Sequence, residues 1–221
     1  MRLALFDLDN TLLAGDSDYE WGQFMCDRGV VDRASYEAQN RVYYEQYKAG
    51  TLDIHEYLGF ALRPLANHSA AELAGWHAEF MRARIVPMIT PAARALVRRH
   101  LGAGELCAVI TSTNSFVTGP IAREFGIEHL IATEPEMAGG RYTGRVAGTP
   151  CFRDGKVRRV DEWLAARGRR LEDFAASSFY SDSHNDLPLL ERVTRPVAVD
   201  PDPQLLEKAR LHGWEVISLR R

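Results

Sequence analysis

Six short apolar runs, separated for the most part by helix-like stretches, restrict the fold of this chain more than any other feature. They read "LALF" at 3–6, "LCAVIT" at 106–111, "HLIAT" at 129–133, "SSFYS" at 177–181, "PVAV" at 196–199 and "EVISL" at 215–219. Helix-like segments at 90–101, 115–125, 155–167, 186–192 and 203–212 lie between most of them. Strands alternating with helices imply βαβ units, hence an α/β fold built on a doubly wound, mainly parallel sheet. Ligands of such sheets sit outside the carboxyl ends of the strands. The residues just after each apolar run are therefore where chemistry is sought.

Residues 14–87 break the rhythm, with helix-like stretches at 17–28, 32–48, 53–62 and 69–83 and almost no β-rich run. The expected organisation is a core of 1–13 and 88–221 carrying a helical cap at 14–87. Thr90 as an N-cap and Pro91 in the first turn mark the return to the core. The tyrosines of the insert, with Trp21 and Trp76, are expected to pack its helices together. A small hairpin is expected in "EMAGGRYTGRV" at 136–146, around Gly139-Gly140.

The bulk numbers exclude several classes. A formal net charge of −3 gives no basic field to attract nucleic acid or a membrane surface. The basic stretch "KVRRVDEWLAARGRR" at 156–170 reads as a solvated helix face. No run reaches the 18 or so apolar residues of a membrane span. Cys26, Cys107 and Cys151 are odd in number, far apart and without CxxC spacing, which suits a reduced, cytoplasmic location. The histidines show no HExxH spacing, so zinc is not expected; His184 is expected at the rim of the site.

Four strand-end positions then stand out. Asp7 and Asp9 follow the first run, and residues i and i+2 of an extended segment point the same way. Two carboxylates 4 Å apart repel by roughly 4 kcal/mol at an effective dielectric near 20, so a cation or a proton must compensate them. Thr111, Ser112 and Thr113 end the second run. Lys156 opens a helix, and "FYSDSHNDLPLL" places Asp182 at a strand end with Asn185 and Asp186 behind it. This set suits a phosphate ester. Asp7 and Asp182 can ligate a hard Mg²⁺, while hydroxyls, amides and a lysine bind phosphoryl oxygens. One carboxylate can attack phosphorus, and another can carry the proton if crowding by the first raises its pKa.

"DLDNT", the Thr after "AVI", the lysine after "DG" and "SDSHNDLP" resemble the four motifs of the haloacid dehalogenase superfamily. The helical insert after the first motif resembles its C1-capped branch. "DLDNTLLAGDSD" is similar to subfamily IB, with its phosphoserine-phosphatase-like and histidinol-phosphatase-like hydrolases. The resemblance implies Asp7 as nucleophile and Mg²⁺ ligand, and Asp9 as general acid/base that also ligates through its carbonyl. It implies Thr111, Ser112, Lys156 and Asn185 as phosphate ligands, Asp182 as metal ligand and Asp186 behind the metal. Because water must be limited yet product must leave, the insert is also expected to open and close over the site, with the movable passages near 14–16 and 84–90.

Other readings remain. A phosphomutase uses the same Asp pair. A non-enzymatic phospho-acceptor or phosphate-binding protein shares the acids, the Lys and the Mg²⁺, but receiver domains are about half this length and place the accepting Asp on a later strand. A dehalogenase needs neither Asp9 nor Asp182. The expected partner is a small phosphorylated metabolite, with Asp16, Asp18 and Arg41 of the insert as candidates for selecting it. Acids near the mouth favour a substrate ammonium group. With the aromatic-rich insert and the likeness to subfamily IB, the expectation is a small amino-alcohol phosphate, L-histidinol phosphate ahead of L-phosphoserine.

Overall fold

The computed structural model describes residues 1–220. The apolar runs become β1 (Arg2–Phe6), β2 (Leu106–Asn114), β3 (His129–Ala138), β5 (Ala176–Ser181), β6 (Arg195–Val199) and β7 (Glu215–Ile217). The Gly139-Gly140 turn joins β3 to β4 (Arg141–Ala147), the antiparallel hairpin expected there. Together they form one seven-stranded sheet in the order β4-β3-β2-β1-β5-β6-β7, parallel except at β3/β4. Helices α6 (Pro91–Gly102), α7 (Ser115–Glu124), α8 (Asp154–Ala165), α9 (Leu187–Leu190) and α10 (Pro203–His212) connect the strands. The insert supplies α1 (Ser17–Asp27), α2 (Arg33–Ala49), α3 (Ile54–Ala61), α4 (Arg63–Ala66) and α5 (Ala70–Phe80). Among the described residues no helix is long and apolar enough to cross a membrane.

Two elements differ from expectation. β2 runs on to Asn114, past Thr111, with a register shift against β3 between Ile110 and Asn114. The helix expected at 186–192 is only α9, preceded by a tight turn of helix at His184–Asp186 and followed within a few residues by β6.

The sheet is covered on both faces, so its strands read as nearly continuous apolar runs. Alternation in β1 sends Leu3 and Leu5 to one face with Val160, Leu164, Leu205 and Ala209, while Ala4 and Phe6 join Leu96, Val97, Val117 and Ile121 on the other. The second cluster does not stop at the sheet. It continues through Trp21, Phe24, Leu58, Leu73 and Phe80, so most of the insert shares one core with it. The passages into and out of the insert run side by side, with Ala14 N–H donating to the Met88 carbonyl at 2.9 Å.

β1 lies centrally, paired with β2 on one side and β5 on the other. The chain winds outward from β1 in both directions, which opens a crevice at the carboxyl ends of these three strands. Phe80→Ala should cost about 3–5 kcal/mol and leave urea unfolding as a single transition. Separate transitions for insert and sheet would contradict a shared core.

Candidate active site

Each of the three central strands delivers a carboxylate or hydroxyl to the crevice. Asp7 continues the β1 ladder, its N–H donating to the Tyr180 carbonyl at 2.9 Å. The residue is 7% exposed, and Lys156, 2% exposed, donates from its ammonium to Asp7 Oδ1 at 2.8 Å and to Asp186 Oδ2 at 2.7 Å. Ser181 Oγ also donates to Asp186 Oδ2, at 2.7 Å. Burial alone would lower the pKa of Lys156, but Asp186 and Asp7 outweigh it and hold the ammonium charged. For Asp7, burial dominates and pushes the carboxyl up to about 7, with Lys156 pulling it down and Asp186 pushing it further up.

Asp182 adds a further carboxyl, whose ionised form its buried surroundings oppose more than the Thr11 hydroxyl and the Lys156 charge favour it. Burial first, then Asp7 and Asp186, hold its carboxyl well above the usual range. The Thr11 hydroxyl lies 3.1 Å from both Asp7 Oδ2 and Asp182 Oδ1, and it also accepts from Asp182 N–H. One hydroxyl has one proton, so it can donate to only one of the two carboxylates at a time. Three acids therefore crowd one ammonium, which bonds two of them. Among the described residues no group of three or more His, Cys, Asp or Glu is spaced to hold a metal alone. A pair of carboxylates does suit Mg²⁺, which keeps waters and takes substrate phosphate as further ligands.

Asp9 sits in a sharp turn over Leu8–Leu12, where Asn10 adopts φ +55, a left-handed conformation that Asn tolerates better than most residues. The turn takes the Asp9 carboxylate away from Lys156. It accepts from Ser17 N–H at 2.6 Å and from Thr113 Oγ1 at 2.8 Å. Its pKa is raised to about 6 by burial and then by Asp16, so crowding by Asp7 is not the cause expected from the sequence. Asp16 caps α1, accepting from Asp18 and Tyr19 N–H, and burial with Asp18 raises it to about 6. Asp18 is raised to about 6 by burial against the pull of the Tyr57 hydroxyl.

A cavity of about 580 Å³ joins these groups. Asp7, Asp9, Thr111, Ser112, Lys156, Asp182 and Asp186 line it from the sheet side of the fold, and Asp16, Asp18, Arg41 and Glu37 line it from the insert. The insert's tyrosines divide their roles. Trp21 packs against Phe24, Phe80 and Phe116, whereas Tyr43, Tyr44, Tyr47 and Tyr57 also line the cavity. Thr111 Oγ1 accepts from Thr113 N–H at 3.1 Å.

Asn185 does not join this lining. Its Oδ1 accepts from Arg153 Nε at 2.9 Å and its amide nitrogen reaches Ser183 Oγ, so its side chain is already engaged. His184 bonds Asp202 Oδ2 through Nδ1 at 2.7 Å and also lies outside the lining. Sequence reasoning missed Thr11 as a bridge, although it stands inside "DLDNT". It also missed Thr113 as a partner of Asp9 and Glu37 on the wall; Thr113 comes into reach because β2 extends past Thr111.

The family model described as haloacid dehalogenase-like hydrolase matches residues 4–191. A protein named histidinol-phosphatase from Neisseria meningitidis serogroup C is 48% identical over 99% of both chains. Phosphoserine phosphatase SerB1 from Mycobacterium tuberculosis is 32% identical over 98% of this chain and 70% of its own length. Among solved structures, a protein of unknown function from Bordetella pertussis Tohama I superposes with a TM-score of 0.94 at 57% identity, covering 99% of this chain and 98% of its own. A substrate-bound phosphoserine phosphatase shares the fold, with a TM-score of 0.69 at 19% identity over 99% of this chain and 93% of its own.

The raised carboxyls have a measurable consequence. In the metal-free protein they favour the folded state fully below 3.8, and that contribution is lost as pH rises through about 6 to about 7. Mg²⁺ held between these acids would need their ionised forms, so its stabilisation of Tm should grow between about pH 5 and about pH 7.5. Asp182→Asn should abolish the shift. A Mg²⁺ shift that is flat with pH, or unchanged in the variant, would contradict this site.

Proposed function

We propose the reaction that follows from one premise: the chain belongs to the haloacid dehalogenase-like hydrolase family, and it is a phosphatase of that family. The observation that carries the reading is the buried Asp7 carboxylate, held by Lys156 at the cavity floor across from Asp182. Residues 14–87 act as the cap and 1–13 with 88–221 as the catalytic core. Mg²⁺, held by Asp7, Asp182 and the Asp9 carbonyl, would neutralise charge on the phosphoryl group.

Asp7 attacks phosphorus in line with the ester oxygen. The Asp7 O–P bond forms as the ester O–P bond breaks, leaving an aspartyl-phosphate. Asp9 gives its proton to the departing alcohol oxygen, a role its raised pKa of about 6 supports near neutrality. Once ionised, Asp9 takes a proton from the incoming water, whose oxygen attacks phosphorus and frees Asp7. Lys156 and the Thr111 and Ser112 groups bind the phosphoryl oxygens, and Asp186 holds Lys156 in place.

The insert's share of the cavity lining supports L-histidinol phosphate as substrate. Asp16, Asp18 and Glu37 outnumber the one guanidinium of Arg41 there, and tyrosine rings line the same wall. That surface suits an ammonium group and a flat imidazole, and it disfavours the carboxylate of L-phosphoserine. The name of the Neisseria relative agrees with this choice.

Phosphate release should require Mg²⁺, cease with EDTA, and be faster from L-histidinol phosphate than from L-phosphoserine or p-nitrophenyl phosphate. Asp9→Asn should slow it by about 10²–10⁴-fold. Turnover of neither amine phosphate above p-nitrophenyl phosphate would overturn the substrate. A fully active Asp9→Asn would overturn the proton carrier.

A further inference from the structure

We infer that Arg153 is a positioning residue that clips α2 over the cavity, and that α2 opens alone while the rest of the insert stays fixed. Only the kinetic arm of the test below rests on the phosphatase reading. The helices of the insert are anchored very unequally. Trp21, Phe24, Leu73 and Phe80 lie in the same apolar cluster as Phe6 and Val109 of the sheet. His77 Nε2 meets the Val117 carbonyl at 2.8 Å in a buried bond between α5 and α7. At the expected hinges, Ala14 bonds Met88 and Arg84 pairs with Glu20 at 3.1 Å. These contacts oppose rotation of the insert as a unit.

None of the 17 residues of α2 is buried. Yet this helix supplies much of the cavity wall, including Glu37, Arg41, Tyr43 and Tyr47. Its aromatic contacts of Tyr36 with Phe60 and of Tyr43 with Tyr57 and Phe60 run to α3 and not to the sheet. A helix with no buried residue belongs to the low-stability end of a fold. Gly29, at φ +69, and Gly50, at φ +71, flank it and can absorb a change of direction.

Two side-chain contacts hold the C-terminal end of α2 against the catalytic loops. Arg153 Nη2 donates to the Gly50 carbonyl at 2.5 Å, where a cation also complements the helix dipole. Arg153 Nε donates to Asn185 Oδ1 at 2.9 Å, and its guanidinium lies 4.9 Å from the Phe152 ring centroid. Tyr47 OH donates to Ser183 Oγ at 2.8 Å. One guanidinium therefore spans from the lid to the loop that carries Asp182 and Asp186. Arg153 holds a backbone of φ +51 and ψ −121, which side-chain-bearing residues rarely adopt. The fit is close: a Cβ on Gly50 would stand 3.2 Å from Arg153 Nη2.

The test is limited trypsin digestion of the whole protein, with Mg²⁺ and inorganic phosphate as probes. Arg153→Ala should speed cleavage at Arg41 and Lys48 about tenfold, as loss of a charge-assisted clip implies. Cleavage at Arg63 and Arg82 should stay within about twofold, because local opening leaves the shared core intact. Tyr47→Phe, which keeps the ring and loses one neutral hydrogen bond, should speed α2 cleavage about threefold. Arg153→Lys should restore protection only in part, since it keeps the charge without the fork. In the kinetic arm, Arg153→Ala should raise KM about tenfold with kcat within about twofold, the pattern of lost lid closure. Unchanged α2 cleavage in both variants, or equal acceleration at Arg63 and Arg82, would overturn the inference. So would a fall in kcat at constant KM, which would place Arg153 in support of the metal loop. If no phosphomonoester is turned over, the phosphatase reading fails and the digestion still decides the clip.

Discussion

The structure depends on one buried ammonium. Lys156 stands between Asp7 and Asp186 at distances of 2.8 and 2.7 Å, all three nearly closed to solvent. Such burial is costly for each ion, and the attraction between them offsets that cost only where the geometry is good. Removing the lysine would leave two carboxylates uncompensated beside a third, Asp182. The interaction therefore ties together β1, the start of α8 and the turn after β5. It also fixes the chemistry, because it leaves a residual negative charge suited to a divalent cation and presents Asp7 to the cavity.

The fold makes this placement possible. β1 is central, and the chain leaves it in opposite directions through β2 and β5, so residues distant in sequence converge at one crevice. The insert then covers the crevice with acidic and aromatic side chains. Most of it is welded to the sheet through Trp21, Phe24 and Phe80, while α2 lies on the outside. Rigidity at the floor and freedom at one wall suit a reaction that must limit water yet release product.

Much of this was legible in the sequence because it is carried by local patterns. Alternating apolar runs gave the sheet, and the acids of "DLDNT" and "SDSHND" fall at strand ends, where β1 and β5 place them in the same cavity. Thr111 and Lys156 line the same cavity, Thr111 from within β2 and Lys156 from the first turn of α8. What could not be read were contacts between segments with no shared pattern. Arg153 meets Gly50 across 103 positions and Tyr47 meets Ser183 across 136. Asn185 shows the limit of a motif: its place was foreseeable, but the arginine that occupies its amide was not. The raised pKa of Asp9 was anticipated for the wrong reason, since the turn at Asn10 directs its carboxylate toward Ser17 and Thr113, and Asp16 supplies the nearby charge.

The central claim is that Asp7 itself becomes phosphorylated. Rapid acid quench of the Mg²⁺-loaded protein during turnover of L-histidinol phosphate, followed by borohydride reduction and peptide mass mapping, tests it directly. The account requires conversion of Asp7 to homoserine, the product of reducing an acyl phosphate, with Asp9 and Asp182 unmodified. Turnover without any reduced aspartate, or reduction at another carboxylate, would contradict it.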